Sequence, residues 1–272
     1  MAAIIYVPNF SKWSGDRRNV ANYRGITSLS AFSKLFEIIV SNALLDCAKN
    51  YISFDQHGFM LGRSVATNLI QFTSNCIASM EAKAQMDVIY TDLKAAFDKI
   101  DHNILLCKLC RLGISLKLVS WLSSYLTGRT LRVKLDKSIS SPFSNESGVP
   151  QGSNQGPLLF VLHFNDVTLL LGAGCTLIYA DDLKLYHSVR SVEDCCLLQS
   201  RLKIFADWCC RNKLIVNVAK CQVITFRRIL SPVTFNYEIA GETLTRVTQV
   251  CDLGVQLDAK LSFGLQTISD YF

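Results

Sequence analysis

Tyr179-Ala180-Asp181-Asp182 sets two adjacent carboxylates between two apolar runs, Cys175-Thr176-Leu177-Ile178 before and Leu183-Lys184-Leu185-Tyr186 after. Apolar stretches on both sides of a short polar break read as a β-hairpin whose turn carries the acids. Neighbouring aspartates repel, so one of them is pushed to hold a proton. A hard divalent cation such as Mg²⁺ removes that conflict, because it takes oxygen ligands and needs few protein groups. The pair therefore suits the handling of phosphate on metal ions. Such a platform needs a further carboxylate from a second element.

Upstream, Met86-Asp87-Val88-Ile89-Tyr90-Thr91-Asp92 offers one. Val88, Ile89 and Tyr90 are β-formers, so this stretch reads as a strand. From Lys94 the spacing of Phe97, Ile100, Ile104, Leu105, Leu109 and Leu112 predicts a helix with one buried face. Asp92 then falls at a strand-to-helix junction. Two readings are open there: a carboxylate pointing into a cleft, or a helix N-cap, which aspartate favours. The hairpin of Asp181 and Asp182 elsewhere in the chain favours the first.

The elements that must position these acids follow from the remaining pattern. Ile4 to Pro8 and Gly25 to Leu29 read as short strands around a polar loop. Ala31 to Ala48, capped by Ser30, and Ala66 to Ala84 have helical spacing. Asp55 to Ser64 is a loop between them. Leu116 to Leu126 is a helix stopped by Thr127-Gly128, and Leu131 to Leu135 alternates as a half-exposed strand. A glycine loop, Gly148 to Gly156, feeds a buried helix from Pro157 to Leu171, with the proline suited to its first turn. Val192 to Asn212 is an amphipathic helix and Gln222 to Phe226 a strand. Leu244 to Val247 and Val250 to Leu257 predict a final hairpin. The fold class is α+β, with the acids on an antiparallel sheet backed by helices.

Composition narrows the class. Half of the residues are apolar, ample for a core, and 28 Lys and Arg against 22 Asp and Glu leave a formal charge of +6. That balance suits a phosphate-bearing partner and excludes a histone-like excess. Eleven cysteines are present, but no secretory signal is read at the start of the chain. They are expected as reduced thiols, with the chain nuclear, cytoplasmic or both. Cys107 and Cys110 have C-x-x-C spacing without a second pair at zinc-ligand distance, so helix packing accounts for them better. No membrane span is expected, since the longest apolar stretch, Leu158 to Leu171, contains His163, Asn165 and Asp166 and falls short of the ~20 residues needed.

Three words, Thr91-Asp92-Leu93-Lys94-Ala95-Ala96-Phe97-Asp98, Ser147-Gly148-Val149-Pro150-Gln151-Gly152-Ser153 and Tyr179-Ala180-Asp181-Asp182, stand in the order found in reverse transcriptases. With Asn22-Tyr23-Arg24-Gly25-Ile26, Gln56-His57-Gly58-Phe59, Gly156-Pro157-Leu158-Leu159-Phe160 and Asn165-Asp166, the chain resembles the enzymes of non-LTR (LINE-type) retrotransposons, in particular the insect Jockey-like branch. The resemblance runs from about Pro8 to Phe263.

It implies a right-hand polymerase layout in which residues 1–260 form the reverse transcriptase domain. About 1–85 would be fingers and 86–260 mainly palm with some fingers elements. Residues 261–272 would begin a tail or a thumb that is largely missing, and the thumb and an endonuclease are expected elsewhere in a longer polyprotein. It also implies RNA-templated addition of deoxynucleoside triphosphates to a DNA primer, with two Mg²⁺ ions, or Mn²⁺ in their place. Asp92, Asp181 and the Leu93 carbonyl would hold the metal, and Asp182 would act more indirectly.

Other family positions map onto this chain with two readings each. Phe97 is the steric gate against a 2′-hydroxyl, or a plain core ring. Gln151 and Gly152 contact the incoming nucleotide, or only form a tight turn. Lys220 faces the pyrophosphate, or is a solvated lysine. Arg24 and Arg63 touch triphosphate or template, or lie on the surface. Asp98 and Asp101 read as structural. Met60, His163 and Asn154-Gln155 depart from the usual pattern. Two rival functions stand beside this one: an RNA-dependent RNA polymerase, against which Phe97 and the glycine loop argue, and a truncated, inactive nucleic-acid-binding fragment.

Overall fold

The structure, a computed structural model, describes residues 2–6, 25–135 and 137–263. In chain order the elements are β1 (Ala2–Tyr6), β2 (Ile26–Ser28), α1 (Ala31–Ala48), α2 (Val65–Glu81), β3 (Gln85–Thr91), α3 (His102–Arg111) and α4 (Leu116–Leu126). They continue as β4 (Arg129–Leu135), β5 (Ser138–Ile139), β6 (Phe143–Asn145), α5 (Gly156–Phe164), α6 (Asp166–Leu171), β7 (Thr176–Tyr179), β8 (Asp182–Val189) and α7 (Val192–Arg211). The last are β9 (Gln222–Phe226), β10 (Glu238–Ile239), β11 (Glu242–Thr243), β12 (Thr245–Val247), β13 (Gln249–Asp252) and β14 (Val255–Asp258). The chain divides into two compact units that interleave in sequence: Met1–Ile52 with Ala95–His163, and Ser53–Lys94 with Phe164–Phe272.

The second unit is built on a five-stranded sheet in the order β12-β9-β3-β8-β7. Its neighbours run antiparallel except β12 and β9, which are parallel. Because side chains alternate along a strand, β3 presents Met86, Val88 and Tyr90 to one face and Asp87, Ile89 and Thr91 to the other. On the first face Phe72 of α2 meets Tyr90, Tyr186 and Phe226 edge-on. Helix α7 covers the other, where Arg201 reaches His187 of β8 at 3.3 Å. With both faces covered, β3 is buried along nearly its whole length.

A charge is also buried here. Lys184 of β8 lies 2.6 Å from Asp252 of β13 and donates to Asn68 Oδ1 of α2 at 2.7 Å. Tyr90 donates to the same Asp252 oxygen at 3.0 Å. Burial pulls the Lys184 ammonium below its usual range, and Asp252 opposes that pull.

In the first unit the sheet order is β2-β1-β4-β5, with β6 also on β4. Helices α1 and α4 meet through Tyr125, whose hydroxyl donates to the buried Glu37 at 2.6 Å, and through Phe36 against Trp121. All eleven cysteines are free thiols. No helix among the described residues is long and apolar enough to cross a membrane.

Three expectations are corrected. The helix expected from Lys94 does not form there. Lys94 N–H donates to Ile215, Ala95 takes a left-handed φ of 50°, and only a 3₁₀ turn, Ala96–Asp98, follows before α3. The Phe97 and Ile100 carbonyls accept from Val149 and Gly148 instead of from helical amides. Asp101 is the true N-cap of α3, accepting from Ile104 at 3.0 Å, so the capping reading of Asp92 falls. The buried helix from Pro157 breaks at Asn165, whose side-chain oxygen accepts from Ser53 N–H at 2.7 Å. The final hairpin is β13 with β14, while Thr245–Val247 pairs in parallel with β9.

Candidate active site

The register of the second unit brings the acids together. Thr91 stands opposite Leu183, so Asp92, one step further, comes abreast of Asp182 at the start of β8. Tyr179 pairs with Asp182, which leaves Ala180 and Asp181 as a two-residue turn between β7 and β8. Ala180 carries a φ of 58° at the first turn position, as tight hairpin turns demand. The register thus puts all three acidic residues at one end of adjacent strands. The Asp182 side chain reaches the surface. Even so, loss of hydration against the surrounding protein, then repulsion from Asp181 and Asp92, raises its pKa to about 6.

Asp92 is held by a residue that the sequence reading passed over. Asn217 donates its side-chain amide to Asp92 Oδ2 at 2.7 Å and its backbone N–H to the Asp92 carbonyl at 2.8 Å. Between that bond and the one from Lys94 to Ile215, Leu93 and Val216 form an isolated antiparallel bridge. In a non-hydrogen-bonded pair of this kind the backbone groups of each residue point away from its partner. The Leu93 carbonyl is therefore turned away from Val216. Lys220 is exposed and closes the 3₁₀ turn Val218–Lys220, just before β9.

Beneath the hairpin turn lies Asp55 to Gly58. Gln56 bridges Ile178 in parallel, with His57 N–H donating to the Ile178 carbonyl and Ile178 N–H to that of Asp55, both at 2.8 Å. The Gln56 side chain is buried and accepts from Ala180 N–H at 3.0 Å. Arg63, expected at triphosphate or template, donates through one terminal nitrogen to the carbonyls of Ser53, Phe54 and Gln56. In this geometry it clamps the segment that carries Gln56, and a phosphate would compete with that clamp.

The first unit holds the glycine loop by its backbone. Gly148 N–H donates to Ile100, Val149 N–H to Phe97, and His102 Nε2 meets the Gly148 carbonyl at 2.8 Å. Gly148 has a φ of 82°, and a Cβ there would stand 2.7 Å from the Asp98 Cα. Gln151 donates its side-chain amide to Asp98 at 2.9 Å, and its carbonyl accepts from Thr27 N–H at 2.7 Å. Asp98, read as structural, thus fixes the expected nucleotide contact. Gly152 is exposed, at a φ of 92° where a Cβ would meet Ile26. Phe97 is half-buried, its ring stacked on Phe160 at 4.2 Å. Arg24 lies outside the described residues.

The donor set fits a hard cation. It is all oxygen, and like-charge crowding at Asp182 is what a cation relieves. Among the described residues no three or more His, Cys, Asp or Glu side chains are drawn together as a ready ligand group. Asp92 already gives one oxygen to Asn217. Two carboxylates and a carbonyl are the sparse set that magnesium accepts alongside water and phosphate.

The class is α+β: a mostly antiparallel sheet, backed by helices, with acids at the end of a central strand and in the adjoining hairpin turn. The chain belongs to the family described as "Reverse transcriptase (RNA-dependent DNA polymerase)", whose profile matches residues 12–257. It is 32% identical over 97% of its length to a probable RNA-directed DNA polymerase from transposon BS of Drosophila melanogaster, covering 30% of that protein. To the RNA-directed DNA polymerase from mobile element jockey of Drosophila funebris it is 31% identical over 90% of its length and 28% of the relative's. The chain thus spans under a third of these relatives. In fold it is similar to apo telomerase from Candida tropicalis, with a TM-score of 0.61 at 12% identity over 96% of this chain and 48% of that one. Reverse transcriptases generally use divalent metal ions.

Proposed function

We propose that this chain carries out RNA-templated DNA synthesis as part of a retrotransposon enzyme. The primer 3′ oxygen would bond to the α-phosphorus of a deoxynucleoside triphosphate, and pyrophosphate would leave. The observation that carries the reading is the register that sets Asp92 abreast of Asp182 and beside the Asp181 turn. Asp92, Asp181 and the Leu93 carbonyl would hold divalent ions, two Mg²⁺ in the full account. When bound, such ions lower the pKa of the attacking hydroxyl and neutralise charge on the leaving phosphates.

The protein's own groups divide the remaining work. Asn217, donating to Asp92 Oδ2, would orient that carboxylate toward the ion. Asp182 keeps negative charge next to the ligands without being one of them. Phe97, steadied on Phe160, would exclude a 2′-hydroxyl, and Gln151, fixed by Asp98, would meet the incoming nucleotide. Lys220 would face the pyrophosphate. Residues from about 1–85 would serve as fingers and 86–260 mainly as palm. RNA as template is supported by the named activity of the relatives and by a Candida albicans telomerase structure in complex with a fragment of telomeric RNA.

Primer extension on RNA tests this. The chain should incorporate deoxynucleotides in Mg²⁺, and Asp181→Asn should lower the rate by roughly a thousandfold or more without changing the melting temperature. A preference for ribonucleotides contradicts the reading, as does nucleic-acid binding without Mg²⁺-dependent extension.

A further inference from the structure

We propose that Gln56 is a positioning residue for Asp181, holding the acid-bearing turn through the backbone of Ala180. The proposal rests on the reading of Asp181 as a metal ligand. A two-residue turn leaves few ways to fix its own tip, and this one lacks the glycine that a positive φ favours. Ala180 nonetheless sits at φ 58° and is buried, so its N–H needs a partner inside the protein.

The Gln56 carboxamide supplies that partner. Its oxygen accepts from Ala180 N–H at 3.0 Å and from Gly58 N–H at 2.7 Å, while its amide approaches the Ala180 carbonyl at 3.4 Å. One planar group therefore addresses both backbone polar atoms of the residue preceding Asp181. Gly58 completes the seat: a Cβ there would stand 2.4 Å from Ala180 N, so only glycine admits the turn so closely. Gln56 is 2% exposed, and the segment carrying it is pinned to β7 on one side and by Arg63 on the other. The carboxamide cannot drift without breaking those bonds. It touches no substrate and acts only through the turn.

Amide hydrogen exchange by NMR on the full chain reads the clamp directly. In the wild type the Ala180 amide should be protected although it lies in a hairpin turn. Gln56→Ala should speed its exchange roughly tenfold or more. Affinity for Mn²⁺, followed by electron paramagnetic resonance, should weaken about tenfold in Gln56→Ala, the scale expected when a group supporting a metal ligand is lost.

An unprotected Ala180 amide in the wild type overturns the proposal with no variant needed, so a misfolded Gln56→Ala leaves it decidable. Wild-type Mn²⁺ affinity in a folded Gln56→Ala also overturns it. If Asp181→Ala binds Mn²⁺ as well as the wild type does, the metal-site reading fails and the positioning role falls with it. Exchange at Ala180 would still show whether the clamp exists.

Discussion

The acid end of the second unit and the glycine loop of the first are built by opposite means. The acids are placed by strand register: once β3 pairs with β8, Asp92 and Asp182 must come abreast. Side-chain amides from Asn217 and Gln56 then trim the arrangement. The glycine loop has no such ladder. Gly148, Val149 and Gln151 are tied by backbone bonds to Ile100, Phe97 and Thr27, and residues without side chains let the backbones approach. Chemistry in the first region can therefore be removed without removing the fold. At Gly148 a single methyl group disturbs the fold itself, as it would at Gly58 beneath the acid turn.

The largest effect on stability should come from beneath the acids. Lys184→Met leaves Asp252 charged and buried without its partner, which should cost about 3–5 kcal/mol in urea denaturation. Pairing it with Asp252→Leu should restore most of that, because an apolar pair avoids the desolvation of two charges. If the double variant is no better than the single one, the pair is not the organising feature of that core.

Gly148→Ala sharpens the other side of the comparison. It forces an L-residue to φ 82° and a Cβ to within 2.7 Å of the Asp98 backbone. A loss of roughly 2–3 kcal/mol is expected, read as a lowered melting temperature. A variant of unchanged stability would show that the loop is held less tightly than its bonds to Ile100 and Phe97 imply.

Local pattern was enough where a local rule decides. β-formers bounding an acidic turn, and a β-run ending at Asp92, were visible because alternation and turn composition act within a few residues. The helix expected from Lys94 failed for a reason that lies fifty residues away. The carbonyls of Phe97 and Ile100 go to the glycine loop and so are lost to a helix. Thr245–Val247 likewise alternates like a hairpin strand, yet its partner is β9. Gln56 and Asn217 lay in loops, where an amide side chain has no periodicity to betray it. Each meets its partner across more than a hundred residues of chain.

A smaller effect separates the acids from one another. An unfolded aspartate ionises near 3.8, whereas folded Asp182 holds its proton to about 6. Between those values the folded chain binds more protons than the unfolded one, so this group makes stability fall as pH rises, the loss levelling off once pH has passed above about 6. Melting of the metal-free chain should therefore decline less steeply over that window in Asp182→Asn than in the wild type. Parallel pH profiles would remove the assigned crowding.

The most direct test of the shared cation site is paramagnetic broadening by substoichiometric Mn²⁺ in an NMR spectrum of the chain. The amides of Asp92, Leu93 and Ala180 to Asp182 should broaden first and together, and Mg²⁺ should reverse the effect. Broadening that begins elsewhere, or that touches Asp181 while sparing Asp92, would contradict a common ion at the end of β3 and the β7–β8 turn.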